Sequence, residues 1–178
     1  LHKTITMIRI SNPFAELSDH KCFCCSRSNP IGLKLDFWYN ETENTVEVEW
    51  DPWEYLQGYP NVLHGGIQST LMDEVASWAV YVLLATAGVT SKMEVKFRKP
   101  VYVNKGQIRV VARVVGTERR FANIHTELFD SEGKLCAEGE VQYYTYPQDV
   151  AKRNLHYPGI EAFLPQNRLS DPEQGVPI

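Results

Sequence analysis

The sequence contains no run of eighteen or more apolar residues, so nothing in it reads as a membrane-spanning helix. It has no excess of positive charge either. Its 18 basic and 22 acidic residues give a formal net charge of −4, which excludes a broad electrostatic footprint for nucleic acid. The first residues, Leu1-His2-Lys3-Thr4-Ile5-Thr6, lack the apolar core of a signal peptide, which argues for a cytoplasmic protein. No serine nucleophile elbow, Walker loop or dinucleotide fingerprint is present. Cysteine is scarce: Cys22, Cys24, Cys25 and Cys136 only. Cys22 and Cys25 form a single C-x-x-C without the second ligand pair of a zinc site or the βαβ context of a thioredoxin-like site. The expectation is reduced thiols packed in a loop, with no metal. At 178 residues the chain is long enough for one domain with a full core and no staples.

What is present is periodicity, and its period changes. Residues 1–32 mix polar residues, prolines and cysteines and read as an N-terminal loop or cap segment, with Ser11-Asn12-Pro13 and Ser28-Asn29-Pro30 as turns. From Gly32 the apolar residues alternate: Leu33, Leu35, Phe37 and Tyr39 on one face, then Val46, Val48 and Trp50 after a polar turn, which predicts an antiparallel hairpin. Residues 51–61 form an aromatic, proline-containing loop. From Gly66 to about Ala87 the spacing becomes helical through Ile67, Leu71, Val75, Trp78, Val82 and Ala85, with Gly88 as the expected C-cap. Period two then returns for four strands, around 92–98, 108–114, 121–129 and 135–146. The tail, 147–178, carries five prolines and reads as irregular. Two strands, one long helix and four strands without βαβ alternation give an α+β domain over 33–146. Apolar residues cover more than half the helix circumference, so a curved antiparallel sheet of about six strands must wrap around it.

The turn into that helix carries the chemistry. His64-Gly65-Gly66 lets backbone approach a ligand where unpaired helix-start N–H groups and the positive end of the dipole coincide, which suits an oxygen gaining negative charge. At 100° per residue Asp73 shares a face with Gly66, Ser69, Thr70 and Ser77, whereas Glu74 points toward the apolar stripe, so Asp73 is the candidate base and Glu74 a supporting carboxylate. Gly66 and Asp73 are seven residues, roughly 10 Å, apart along the axis. A reacting carbonyl must lie about 3 Å from both, so the expected site is composite, with the donor from one subunit and Asp73 from its neighbour in a two-fold dimer. His20, His125 and His156 have no partner identifiable from sequence.

The order Cys22-Phe23-x-Cys25, Asn29-Pro30-x-Gly32-Leu33, Gln57-Gly58-Tyr59-Pro60, His64-Gly65-Gly66 and an acid nine residues beyond the histidine resembles the hotdog-fold acyl-CoA thioesterases, on the branch that includes the phenylacetyl-CoA type. The resemblance spans roughly residues 20–146. It implies a hotdog domain, homodimers or homotetramers with sites between subunits, and hydrolysis of acyl-CoA without a bound cofactor. It makes Asp73 the base or nucleophile, the Gly65 or Gly66 amide the oxyanion donor, and His64 the residue shaping that turn. It further points to Gln57 or Asn61 before the histidine and to a hydroxyl at Thr90. Substrate contacts would then include Gln57, Asn61, Ser77 and Thr90, with Arg98, Lys99, Arg119 or Arg120 for the phosphates. Two other classes fit the same pattern, an acyl-CoA-binding module without turnover and a hotdog dehydratase or hydratase.

Overall fold

The computed structural model describes residues 6–164. The leader reading at Leu1–Ile5 and the last part of the predicted tail, from Pro165 on, lie outside them.

The change of period is realised as one helix against one antiparallel sheet. The helix α1 spans Gly65–Leu83. The strands are β1 (Met7–Arg9), β2 (Trp38–Asn40), β3 (Thr45–Trp50), β4 (Gly88–Phe97), β5 (Ile108–Glu118), β6 (Phe121–Phe129) and β7 (Leu135–Thr145), in the order β1-β2-β3-β5-β6-β7-β4. There are seven strands rather than about six because Met7–Arg9 pairs with Trp38–Asn40 at the edge. This is the hotdog arrangement, with α1 packed on β3 to β7. Leu71, Met72, Val75, Ala76 and Ala79 have no exposed surface, and Trp78 stacks on Phe37 with ring centroids 3.9 Å apart. Each large apolar side chain buried there contributes about 1.5–3 kcal/mol.

Three local expectations are corrected. The 33–40 strand pairs only over Trp38–Asn40; Leu33, Leu35 and Phe37 still alternate into the core, but Leu33 and Leu35 bond the backbone of Phe23 and Cys24 rather than a strand. The helix ends at Leu83, several residues before Gly88, with Ala85 taking a left-handed conformation at φ 50°. Gly88 instead opens β4 where a Cβ would lie 2.5 Å from the Tyr144 carbonyl oxygen, a contact only glycine avoids. Finally, the part of the tail that is described is not irregular. Gln148–Leu155 forms α2, and Tyr157 and Phe163 are buried against Tyr81 and Trp78. A local polar, charged composition hid a segment whose few aromatics fill the open end of the core.

Candidate active site

The helix start is built by its loop. Gln57 Oε1 accepts the Asn61 N–H at 2.7 Å, with Asn61 at φ 62°. Gly58 N–H bonds Val62 O, His64 N–H bonds Leu56 O, and Leu63 N–H bonds Val101 O, which pins the turn to the β4–β5 connection. Gln57 is therefore engaged within its own loop. The loop delivers His64 to the N-cap, where its Nδ1 accepts the Gly66 N–H at 2.9 Å. That bond places the imidazole proton on Nε2. It also occupies one of the two glycine donors. The Gly65 N–H has no acceptor among the described residues, so in this arrangement it is the free donor at the positive end of α1. A Cβ at Gly66 would meet His64 Nδ1 at 3.0 Å, which explains glycine beside the capping ring.

A cavity of ≈ 500 Å³ opens at this turn, lined in part by Tyr59, His64, Gly65, Phe97, Arg98 and Lys99. Arg98 is paired with Glu138 at its rim, leaving Lys99 as the free cation there among the described ion pairs. Arg119 and Arg120 sit in the β5–β6 turn and do not line this cavity. Gln68 does line it: its Nε2 donates to Leu63 O at 3.0 Å, and its buried Oε1 has no partner among the described residues. Sequence reasoning missed Gln68, although a polar residue on the Leu71–Val75 stripe was the signal available.

Asp73 lies two turns along α1, outside that cavity. Its Oδ1 accepts from Thr90 Oγ1 at 2.8 Å and lies 2.9 Å from the Tyr143 hydroxyl, which is also 2.9 Å from the Asp73 carbonyl oxygen. Thr90 and Tyr143 are opposite residues on paired β4 and β7, so their side chains share a face and reach the helix together. An irregularity in the pairing between Thr90 and Lys92 bends the strand at that point. Burial, with the Asp73 carboxylate next, pushes the Tyr143 phenol well above its ordinary range, so it stays a donor. Tyr143 was not anticipated from sequence. The signal was the inward parity of Tyr143 with Val141 and Gly139 in the last strand. Ser77, one turn beyond Asp73, is half-buried and interacts with Tyr81.

Glu74 faces elsewhere. Its Oε1 accepts from Trp78 Nε1 at 3.0 Å and lies 3.7 Å from Cys22 Sγ. Burial first, then the neighbouring Cys22, push its carboxyl up to about 7, against the Trp78 hydrogen bond. Two histidines also gain partners: His125 Nδ1 lies 2.6 Å from Glu140, and His20 Nε2 lies 3.7 Å from Cys25 Sγ. His156 serves as the left-handed C-cap of α2.

Comparison with known proteins follows the same lines. Residues 60–137, which include the turn, Asp73 and Thr90 but not Tyr143, match the profile of the thioesterase superfamily. A protein of Saccharolobus solfataricus with a provisional esterase name is 27% identical over 57% of this chain and 67% of its own. Another of Sulfurisphaera tokodaii, likewise named, is 34% identical over 48% of this chain and 63% of its own. Among solved structures, a thioesterase from Haemophilus influenzae superposes with a TM-score of 0.61 at 20% identity, covering 70% of this chain and 86% of that one. A hypothetical thioesterase of Streptococcus pneumoniae with coenzyme A gives 0.55 at 19% identity, over 58% and 82%. At these identities the structural likeness establishes the fold. No helix among the described residues is long and apolar enough to cross a membrane.

Proposed function

We propose that the protein, whose residues 60–137 match the profile of the thioesterase superfamily, hydrolyses acyl-CoA thioesters to the free acid and coenzyme A. The observation that carries this is the pair of donors, Thr90 and Tyr143, fixed on one oxygen of Asp73. A carboxylate held in this way presents its other oxygen in a set direction, as general base toward water or as nucleophile toward the thioester carbon. The tetrahedral oxyanion then needs a donor that costs no reorganisation, and the Gly65 N–H at the helix start fits that role. No donor of its own helix start lies near Asp73, since the two stand about two turns apart. The reading is therefore a site shared by two copies of the chain, with the Gly65 turn of one facing Asp73 of the other. The sheet supports such pairing: β4 ends it as an edge strand, with Val89 and Phe97 exposed. A protein of the same fold from Streptococcus pneumoniae was solved with coenzyme A. Lys99 beside the Gly65 cavity suits a phosphate of that carrier. The chemistry assigned to this chain's own residues needs no bound cofactor.

The test is release of free thiol from a panel of acyl-CoAs, comparing wild type with Asp73→Asn. Turnover of at least one thioester that falls by about 10²–10⁴ in the variant is expected for loss of a general base. Binding of acyl-CoA without turnover of any would replace this reading with a binding module. Loss in Glu74→Gln, with Asp73→Asn unaffected, would move the catalytic carboxylate to Glu74.

A further inference from the structure

The lone C-x-x-C acquires in three dimensions a third candidate ligand that the sequence did not show, Glu74, with His20 beside one of its cysteines. Cys22 Sγ, Cys25 Sγ and a carboxylate oxygen of Glu74 all lie within 4.8 Å of one another, although Glu74 is on α1 and the cysteines are on the N-terminal loop. The Cys22 Sγ to Glu74 Oε1 distance is 3.7 Å, and the His20 Nε2 to Cys25 Sγ distance is also 3.7 Å. Around a tetrahedral zinc ion, with bonds of about 2.3 Å to sulfur and 2.0–2.1 Å to oxygen or nitrogen, neighbouring ligand atoms sit roughly 3.4–3.8 Å apart. Both distances fall in that interval.

We propose that Cys22, Cys25 and Glu74 bind a single divalent, thiophilic cation, zinc by preference, with His20 as the fourth ligand. Two further observations support the site. First, the surroundings are those of a second ligand shell: the backbone N–H groups of Cys24 and Cys25 point at Cys22 Sγ at 3.3 and 3.4 Å, and Trp78 Nε1 holds Glu74 Oε1. Amides aimed at a sulfur favour its thiolate, the form that ligates. Second, a carboxylate and a thiol share a largely enclosed space, and no Lys or Arg forms an ion pair with Glu74 among the described residues. Such a cluster is neutralised by protons or by a cation. His20 Nε2 contacts Cys25 Sγ alone of the three, so its ligation of a metal held by all three requires its ring to move toward Cys22 and Glu74.

The role follows from the connectivity. Zinc would tie the 20–25 loop to α1 at the residue next to Asp73, fixing the helix register that aims the candidate carboxylate. Binding releases the protons held by the thiols and by the fraction of Glu74 that carries one. This inference does not depend on the thioesterase reading.

The experiment uses the full chain, reduced, stripped with a chelator and titrated with Zn²⁺ and with Co²⁺. Expected are one metal per chain by elemental analysis, a thiolate-to-cobalt charge-transfer band with tetrahedral visible bands, and protection of two thiols from a thiol reagent by zinc. Cys22→Ser and Cys25→Ser should each remove most of the charge-transfer intensity, Glu74→Gln should weaken zinc by at least the roughly tenfold that loss of a mere outer-shell partner costs, and Cys136→Ser should change nothing. Folded, reduced wild type that takes up neither ion stoichiometrically overturns the proposal without recourse to any variant. So does uptake that persists in a folded Cys22→Ser/Cys25→Ser double variant, or cobalt bands of octahedral form with no sulfur charge transfer.

Discussion

Removing the Tyr143 hydroxyl is the sharpest local perturbation of the Asp73 arrangement, because phenylalanine keeps the buried ring and deletes only one donor. The hydroxyl lies 2.9 Å from Asp73 Oδ1, on a residue that is 2% exposed. A hydrogen bond to a charged group is worth about 1.5–3 kcal/mol. Where that bond orients the carboxylate in the transition state, its loss corresponds to roughly a ten- to hundredfold fall in kcat/KM, at tenfold per about 1.4 kcal/mol. Thr90→Val removes the second donor on the same oxygen and should cost about tenfold by itself. Since either donor partly secures Asp73 when the other is gone, the double variant Tyr143→Phe/Thr90→Val should lose more than the product of the two single losses. The assay is thiol release from the best acyl-CoA, run beside urea denaturation so that each rate refers to folded protein. The split also matters: positioning predicts a fall in kcat with KM little changed. A folded double variant with wild-type kcat/KM would refute the reasoning, because Asp73 would then be oriented by something else or would not act.

Three other outcomes follow from the same geometry. His64→Ala removes the Nδ1 acceptor of the Gly66 N–H and should lower stability by about 1 kcal/mol in chemical denaturation, as loss of an N-cap does. Phe163→Ala should cost about 3–5 kcal/mol of stability, because this fully buried ring packs on Trp78 and Tyr81; an unchanged Tm would show the C-terminal segment to be detachable. Glu74 has a folded pKa raised from 4.5 to about 7, so the folded state holds its proton more tightly than the unfolded state. Its contribution to stability is neutral below the unfolded value, falls as pH rises between about 4.5 and 7, and stays low above. With chelator present, wild type should lose up to about 3 kcal/mol relative to Glu74→Gln between pH 5 and 8, and parallel pH curves would contradict this.

Period was the legible part of the fold, and the losses were of pieces without period. The helix stripe from Ile67 to Val82 and the alternation of the strands from Thr45 onward announced the sheet and its central helix, because burying one face imposes those repeats over many residues. Met7–Arg9 is three residues long, too short to show alternation, and exists because the Trp38–Asn40 strand offers it an edge. Gln148–Leu155 is polar along most of its length, and only Ala151 of it is buried. At the site, helical arithmetic distinguished Asp73 from Glu74, and the structure gives them separate surroundings, Thr90 and Tyr143 for one, Trp78 and Cys22 for the other. Tyr143 and the Cys22–Cys25–Glu74 cluster depend on contacts between residues fifty or more positions apart. Local spacing carries no trace of such contacts.

The central claim, a site divided between two copies, is tested by complementation. Gly65→Pro removes the candidate donor N–H at the first helical position, where proline is tolerated, and His64 at φ −59° and ψ 134° already has a conformation that can precede proline. Asp73→Asn removes the carboxylate. Each variant alone should be nearly inactive. Unfolded and refolded together in equal amounts, they should form mixed dimers with one intact site in two, giving about a quarter of wild-type thiol release. If the mixture shows only the average of its two parents while mixed dimers demonstrably form, donor and acid act within one chain and the divided site is wrong.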